Sequence, residues 1–300
     1  MRGIPSQHMA TKDVELVLVG ISQDGGVPQA GCVCERCVSA MKDDSKRMYP
    51  VSCVIKGSDG SVHLVEATRD LAQQLGVAAI SLGMGGSITP DSVCLTHAHL
   101  GHIDGLGQFG KESMGLEEVP LFASPSVIGV LNERALSTPF QTNEVTAGRP
   151  FPPSEGCGFE LEFVRVPHRD EYSDTHAIRI GGPDSSLLFL PDHDDWDQTL
   201  EMVREGSIRE WLKAMKVDYA LIDGTFWGSD ELRGRDMTQV PHPTISESLD
   251  RLGDRREGDP EIFFIHLNHT NPALDRGSDQ FRELSSMGWS VGEQGSTIVL

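Results

Sequence analysis

The chain has 300 residues, 45 of them acidic and 25 basic, for a formal net charge of −20. Phosphate backbones are held by clustered Lys and Arg, and no run gathers them here, which argues against a nucleic-acid partner. No apolar stretch approaches the ~20 residues of a membrane span, and the opening Met1-Arg-Gly-Ile-Pro-Ser-Gln-His-Met-Ala10 lacks the apolar core of a signal peptide. The expectation is a cytoplasmic protein with no membrane partner, a flexible tail over residues 1–12 and a single domain over 13–300.

In chain order, Val14-Glu-Leu-Val-Leu-Val-Gly20 reads as a first strand that runs into the Gly-rich loop Ser22-Gln-Asp-Gly-Gly-Val-Pro28. That loop lacks the spacing of a P-loop or a dinucleotide fingerprint. Strands follow at 51–56 and 62–66, joined through Ser58-Asp-Gly60. Thr68 to Gly76 reads as a short helix between a Thr cap and a closing Gly. Gly105 to Met114 reads as a helix start, followed by a strand at 120–123 and a helix over 125–135. Residues 137–158 are rich in Pro and Gly and read as a mobile loop over a site. Strands at 159–166, 176–181 and 186–191 come next, then a helix over 197–215 and a strand at 218–223. The capping box Thr244-Ile-Ser-Glu247 opens a helix, and a strand at 261–266, a helix over 278–287 and a strand at 296–300 finish the chain. Two batches of strands, each followed by helices, suit a layered α/β domain with two sheets inside and helices outside.

Chemistry is concentrated in Leu95-Thr-His-Ala-His-Leu-Gly-His-Ile-Asp-Gly105. Strand side chains alternate, so His97 and His99 point the same way at a strand's end, and the following turn can bring in His102. Neutral imidazole is the commonest protein ligand for zinc and related metals. His168, Asp192 and His266 stand in the same setting, each where a buried apolar strand runs out (Phe163-Val-Arg-Val-Pro167, Leu187-Leu-Phe-Leu-Pro191, Ile262-Phe-Phe-Ile265). This repetition points to one shared metal centre. His193, next to Asp192, should point away if the strand continues. A second cluster, Cys32-Val-Cys34-Glu-Arg-Cys37, sets three thiols within reach of one ion, whereas Cys53, Cys94 and Cys157 are isolated. Three thiolates plus one imidazole make a closed, structural zinc site.

The histidine run resembles the His-x-His-x-Asp-His signature of the metallo-β-lactamase superfamily, with Gly101 where that motif has Asp. The resemblance implies a four-layer αββα sandwich. It also implies a first metal on His97, His99 and His168, a bridging Asp192, and a second metal on His102 and His266. Without a carboxylate at position 101 the second position is expected to be weak or empty, and Asp104 is not expected to substitute. Leu221-Ile-Asp-Gly-Thr-Phe-Trp227, Pro241-His-Pro243, Phe264-Ile-His-Leu-Asn-His-Thr-Asn-Pro272 and the opening Gly25-Gly-Val-Pro-Gln29 look like the pyrroloquinoline quinone biosynthesis protein B family. That similarity spans nearly the whole chain. Members of that family carry a degraded histidine cluster, so this chain looks like a sister group. The Cys trio and the spacing of His266 and His269 resemble the carbon–phosphorus lyase accessory phosphodiesterase, which implies that His269 is the fourth zinc ligand. His242 sits where related hydrolases keep a His near the substrate, and Asp223 ends a buried strand where it can orient a ligand imidazole.

The expected function is a metal-dependent hydrolase of a phosphodiester or other small ester. A metal on His97, His99 and His168 lowers the pKa of its water to roughly 7 and supplies hydroxide. Asp192 orients that water or takes its proton, with His242 as a second catalytic group. The expected cofactors are structural Zn2+ on the cysteines and Zn2+, Mn2+ or Fe2+ in the centre. The alternative, from the quinone-pathway resemblance, is a non-haem iron oxygenase or hydroxylase, peptide- or tyrosine-directed, acting in cofactor or peptide-derived metabolite biosynthesis. A third reading is a binding protein that keeps its metal for stability. The expected partner is a small-molecule substrate, with a homodimer left open.

Overall fold

A computed structural model describes residues 13–232 and 237–300, so the expected tail over 1–12 lies outside the described residues. The first sheet contains β1 (Glu15–Gly20), β2 (Ser52–Lys56), β3 (Val62–Val65), β4 (Ser92–Cys94), β5 (Val119–Ala123), β6 (Phe140–Glu144) and β13 (Thr297–Val299), in the order β13-β1-β2-β3-β4-β5-β6. The second contains β7 (Glu160–Val166), β8 (Thr175–Gly181), β9 (Ser186–Leu190), β10 (Tyr219–Asp223), β11 (Glu261–Ile265) and β12 (Ser290–Val291), in the order β12-β11-β10-β9-β8-β7. The helices are α1 (Glu35–Lys42), α2 (Leu71–Ser81), α3 (Leu100–Ile103), α4 (Pro125–Glu133), α5 (Trp196–Val203), α6 (Ile208–Ala214), α7 (Ile245–Leu252) and α8 (Asp279–Ser286).

The layers follow from strands that are apolar on both faces. Leu16 and Leu18 turn inward with Cys53, Ile55 and Val65 to meet Leu161, Phe163, Ile178, Phe189 and Leu221 of the second sheet. Val17, Val54, Leu64 and Val93 turn outward beneath Leu71, Leu75 and Ala78 of α2 and Val127 and Leu131 of α4. On the far side, Leu188, Leu190, Ile222 and Phe264 lie under Trp196, Trp211, Ile245 and Leu249. A strand covered on both faces needs an unbroken apolar run, which is what the sequence carries. The result is the four-layer αββα sandwich.

Strand direction decides where chemistry collects. β3, β4, β5 and β6 pair in parallel, as do β9, β10, β11 and β12. Two antiparallel steps separate β1 from β3 and β7 from β9, so β1 and β7 also run with their groups. Open α/β sheets place ligands beyond the carboxyl ends of such strands. The segments leaving β1, β3, β4, β7, β9, β10 and β11 therefore offer Asp24, Glu66, His97, His168, Asp192, Asp223 and His266 at strand ends.

Several local expectations are corrected. The helix expected over 68–76 runs from Leu71 to Ser81, because the buried spacing of Leu71, Leu75 and Ala78 carries it through Gly76. The helix expected from Gly105 starts earlier as α3, with His99 as its N-cap, and residues 106–109 form a single 3-10 turn. Residues 137–158 are not a free flap: they include β6, and Phe151 pairs with Leu161 and packs on Phe122 at 4.9 Å between ring centres. The helix expected over 197–215 splits at Arg204, which adopts a left-handed φ of 62°, and Ser207 caps the second piece. No helix among the described residues is long and apolar enough to cross a membrane.

Candidate metal centre

The predicted histidines converge. One ligand atom each from His97, His99 and His168 falls within a single 4.8 Å group, and the same holds for His97, His102 and Asp192. His97 Nε2 stands 2.9 Å from His99 Nδ1, and His102 Nε2 stands 3.2 Å from Asp192 Oδ2. Asp192 Oδ1 lies 3.5 Å from both His168 Nε2 and His266 Nε2, which places this carboxylate between the two sets. Ligand atoms bonded at ~2.1 Å to one tetrahedral ion sit about 3.4 Å apart. The 3.2–3.5 Å separations around Asp192 fit that geometry better than charge-assisted hydrogen bonds of about 2.7–2.9 Å, whereas His97 and His99 stand at hydrogen-bond distance from each other.

Sequence reasoning missed Asp24. Its Oδ1 is 3.3 Å from His102 Nε2 and 3.3 Å from His266 Nε2, and the three residues form a metal-ligand group of their own. A carboxylate that the sequence reading did not assign to the second position therefore stands beside His102 and His266. The available signal was Asp24 in the Gly-rich loop just beyond β1, the same strand-end setting that marked His168 and Asp192. Asp104 is exposed at the end of α3. His193 turns away from the centre, its Nδ1 2.8 Å from Thr199 Oγ1 and its ring against Trp196.

Partners hold several of the outward-facing nitrogens. His97 Nδ1 meets Thr96 Oγ1 at 2.9 Å, while the carboxylates of Glu171 and Glu66 lie 3.6 Å from His99 Nε2 and 3.4 Å from His102 Nδ1 without a hydrogen bond. His168 Nδ1 meets Asp194 Oδ1 at 3.2 Å, and His266 Nδ1 meets Thr225 Oγ1 at 2.7 Å. Such partners fix the tautomer that leaves the inward nitrogen free for a metal. Glu66 and His266 adopt left-handed φ values of 67° and 61°, backbone strain of the kind that collects at functional sites.

The donor set fits a divalent cation. Both ring nitrogens of His102, Asp192 Oδ2 and Glu66 Oε2 are buried without a hydrogen-bond partner. Burial opposes ionisation of Asp192, yet the surrounding His266 and His102 hold its carboxyl well below the usual range. Asp24 is half-buried, and His102 and His266 likewise hold its carboxyl well below the usual range against the cost of its partial burial. A buried carboxylate such as Asp192 calls for a positive charge at its focus. His99, by contrast, is pushed down to about 4 by burial and the neighbouring His168, and a neutral imidazole is the form that coordinates.

His242 faces the same space. Burial would lower its pKa, but Asp223 Oδ2, 2.7 Å from Nδ1, raises it. Asp192 Oδ1 lies 3.9 Å from the same nitrogen. Asp223 Oδ1 also receives Thr225 Oγ1 at 2.7 Å, so one buried carboxylate steadies both His242 and the partner of His266.

Away from the centre, Cys32, Cys34, Cys37 and His269 form a second group, with each sulfur 3.6–3.7 Å from His269 Nδ1. A tetrahedral ion with Zn–S of 2.3 Å and Zn–N near 2.0–2.1 Å sets this separation at about 3.6 Å. Burial pushes the Cys37 thiol up to about 12, so without a cation at the focus it stays protonated.

The profile described as "Beta-lactamase superfamily domain" matches residues 64–267, and the chain belongs to that superfamily, with the metallo-β-lactamase fold. Within it the chain is similar to coenzyme PQQ synthesis protein B. It is 27% identical over 317 residues to the protein of Bradyrhizobium diazoefficiens, covering 96% of this chain and 100% of that one. Identity to the Cupriavidus necator protein is also 27%, over 311 residues, covering 94% of this chain and 98% of that one. Among solved structures, Zn(2+)-bound PqqB from Methylobacterium extorquens superposes with a TM-score of 0.70 at 21% identity, covering 95% of this chain and 100% of that one. A diphosphatase from the PhnP family superposes with a TM-score of 0.64 at 20% identity, covering 96% and 97%. Fold and donor set together imply that this chain binds divalent metal.

Proposed function

We propose that this protein is a divalent-metal-dependent hydrolase of a phosphodiester, a diphosphate or another small ester. The observation that carries this reading is His242, whose side chain is 5% exposed, hydrogen-bonded to Asp223 and faces Asp192 across 3.9 Å. A proton donor thus shares one space with the candidate ligands. His97, His99 and His168 would hold an ion that, when bound, would supply an activated water near neutral pH and charge for the scissile group. Asp192, beside both ligand sets, would orient that water and accept its proton. Asp223 holds the Nδ1 proton of His242, so Nε2 presents its own proton to the leaving oxygen as the ester bond breaks. Such general acid catalysis is worth about 10²–10⁴ in rate.

Charge at the rim supports an anionic substrate in an otherwise acidic chain. Arg69 is exposed beside the Asp24 turn and donates to its carbonyl, and Arg169 follows His168 and pairs with Glu171 at 3.0 Å. Tyr172, 55% exposed, meets the His99 ring edge-on at 5.9 Å and gives a flat surface for an aromatic substituent. The shared fold of a PhnP-family diphosphatase supports phosphorus–oxygen chemistry. The test is hydrolysis of bis(p-nitrophenyl) phosphate, diphosphates and aryl esters by protein loaded with Zn2+ or Mn2+, beside His242→Ala and metal-free controls. No metal-dependent turnover on any of the three overturns the reading.

One observation favours a second reading. Asp24, His102 and His266 make a two-histidine, one-carboxylate set, the donor pattern of non-haem iron oxygenases. Relatives named for coenzyme PQQ synthesis agree with work on a cofactor precursor. Oxygen consumption by the Fe2+-loaded protein separates this reading from hydrolysis.

A further inference from the structure

We infer that Asp24 takes the place of the carboxylate missing at position 101, so that the centre holds two divalent ions. This deepens the proposed function and rests on its metal centre, although not on its reaction.

Space is the first argument. A Cβ built on Gly101 would lie 2.6 Å from Asp24 Cβ, and closer still to its carboxyl carbon and Oδ1. Real Cβ atoms essentially never approach a heavy atom within 3.0 Å. The Asp24 side chain therefore fills the volume that a side chain at 101 would enter. Gly101 lies in α3 without a positive φ, so its backbone does not demand glycine. The neighbour that demands glycine is Asp24.

Distance is the second. Asp24 Oδ1 stands 3.3 Å from Nε2 of both His102, in α3, and His266, just past β11. A plain ion pair with one imidazolium closes to about 2.7–2.9 Å. Equal and longer spacing to two rings suits a third atom bonded to all three. A hard anionic oxygen is also what two imidazoles lack for binding Mn2+, Fe2+ or Zn2+ firmly.

Delivery is the third. Asp24 is 242 positions from His266, yet the two loops are laced together. Gln23 N donates to Leu267 O at 2.9 Å, Leu267 N donates to Ile21 O at 2.9 Å, and Arg69 donates to Asp24 O from the far side. The carboxylate is thus held by main-chain bonds on a segment parallel to the ligand-bearing strands.

The primary test is anomalous diffraction from the wild-type protein loaded with Zn2+ or Mn2+. The expected result is an ion bonded to Asp24, His102 and His266, with the oxygen at about 2.0–2.2 Å for zinc. Elemental analysis of Zn2+-loaded protein should then give about three metals per chain for wild type, counting the cysteine site, and about two for Asp24→Asn. Gly101→Asp alone should also lose the second ion, because two carboxylates cannot occupy one volume. The double variant Asp24→Gly/Gly101→Asp should regain it. Retained cysteine-site zinc reports that each variant folds. A wild-type ion at this position without a bond to Asp24, or Asp24→Asn at full occupancy, overturns the inference. Asp24 bonded in a fully metallated protein that is inert toward every ester overturns the hydrolase reading and leaves this inference standing.

Discussion

Asp223 Oδ2 and His242 Nδ1 stand 2.7 Å apart, at the end of β10 and in the loop before α7. The carboxylate is buried and also accepts Thr225 N and Oγ1, so the imidazole is fixed by a group that is itself fixed. A side chain held so firmly against the candidate ligands has the geometry of a proton carrier. His242→Ala should cut turnover of the hydrolysed ester by about 10²–10⁴ while metal content stays unchanged. Asp223→Asn should lower kcat, since the tautomer is no longer enforced. Full activity in His242→Ala removes it from the chemistry.

The partners of the ligand histidines should tune metal affinity without touching metal. Thr225→Val removes the hydroxyl 2.7 Å from His266 Nδ1. Glu66→Gln removes the charge 3.4 Å from His102 Nδ1. Each should weaken metal binding at the second position about 10–100-fold, read by chelator competition, and leave the cysteine zinc in place. Unaltered affinity in both variants assigns these contacts to packing alone.

The cysteine cluster should stabilise the fold and also condition the centre. Cys32, Cys34 and Cys37 lie on the segment that carries Asp24, and His269 lies three residues beyond His266. Cys34→Ser should lose one zinc per chain and lower Tm, because metal-binding free energy is folding free energy. A loss of about 3 kcal/mol corresponds to a Tm shift of roughly 5 °C for a chain of 300 residues. The same variant should lose metal from the Asp24 position before the His97 position. Calorimetry and metal analysis that match wild type would refute both statements.

His63 gives a pH prediction clear of the centre. It is buried between Ser92 Oγ and Ser61 Oγ, each 2.8 Å from a ring nitrogen, and burial pushes its pKa down from 6.5 to about 4. Between those values the unfolded chain binds a proton that the folded chain refuses. The contribution is complete above about pH 6.5 and shrinks as pH falls toward 4, by at most roughly 1.4 kcal/mol per unit. His63→Gln abolishes this proton uptake, so the stability gap between wild type and variant should narrow across that window in urea titrations. A gap of constant size is the contrary result.

The sequence by itself determined the sandwich and most of the centre, because both depend on local signals. Short apolar runs such as Leu187–Leu190, bounded by turn residues, suit strands covered on both faces, and a polar residue just past such a run falls at the sheet edge. His97, His99, His168, Asp192 and His266 were legible for that reason, and the Cys trio was legible from spacing alone. The tertiary structure decided the rest. Phe151 packing on Phe122 turned an expected flap into a pinned connection. The left-handed turn at Arg204 split one expected helix into two. Above all, linear spacing shows a glycine where a carboxylate belongs, and only the folded chain shows Asp24, far upstream in the loop after β1, filling that volume. A ligand set is a condition on positions in space, and a loop held beside another by main-chain hydrogen bonds can satisfy it from anywhere in the chain.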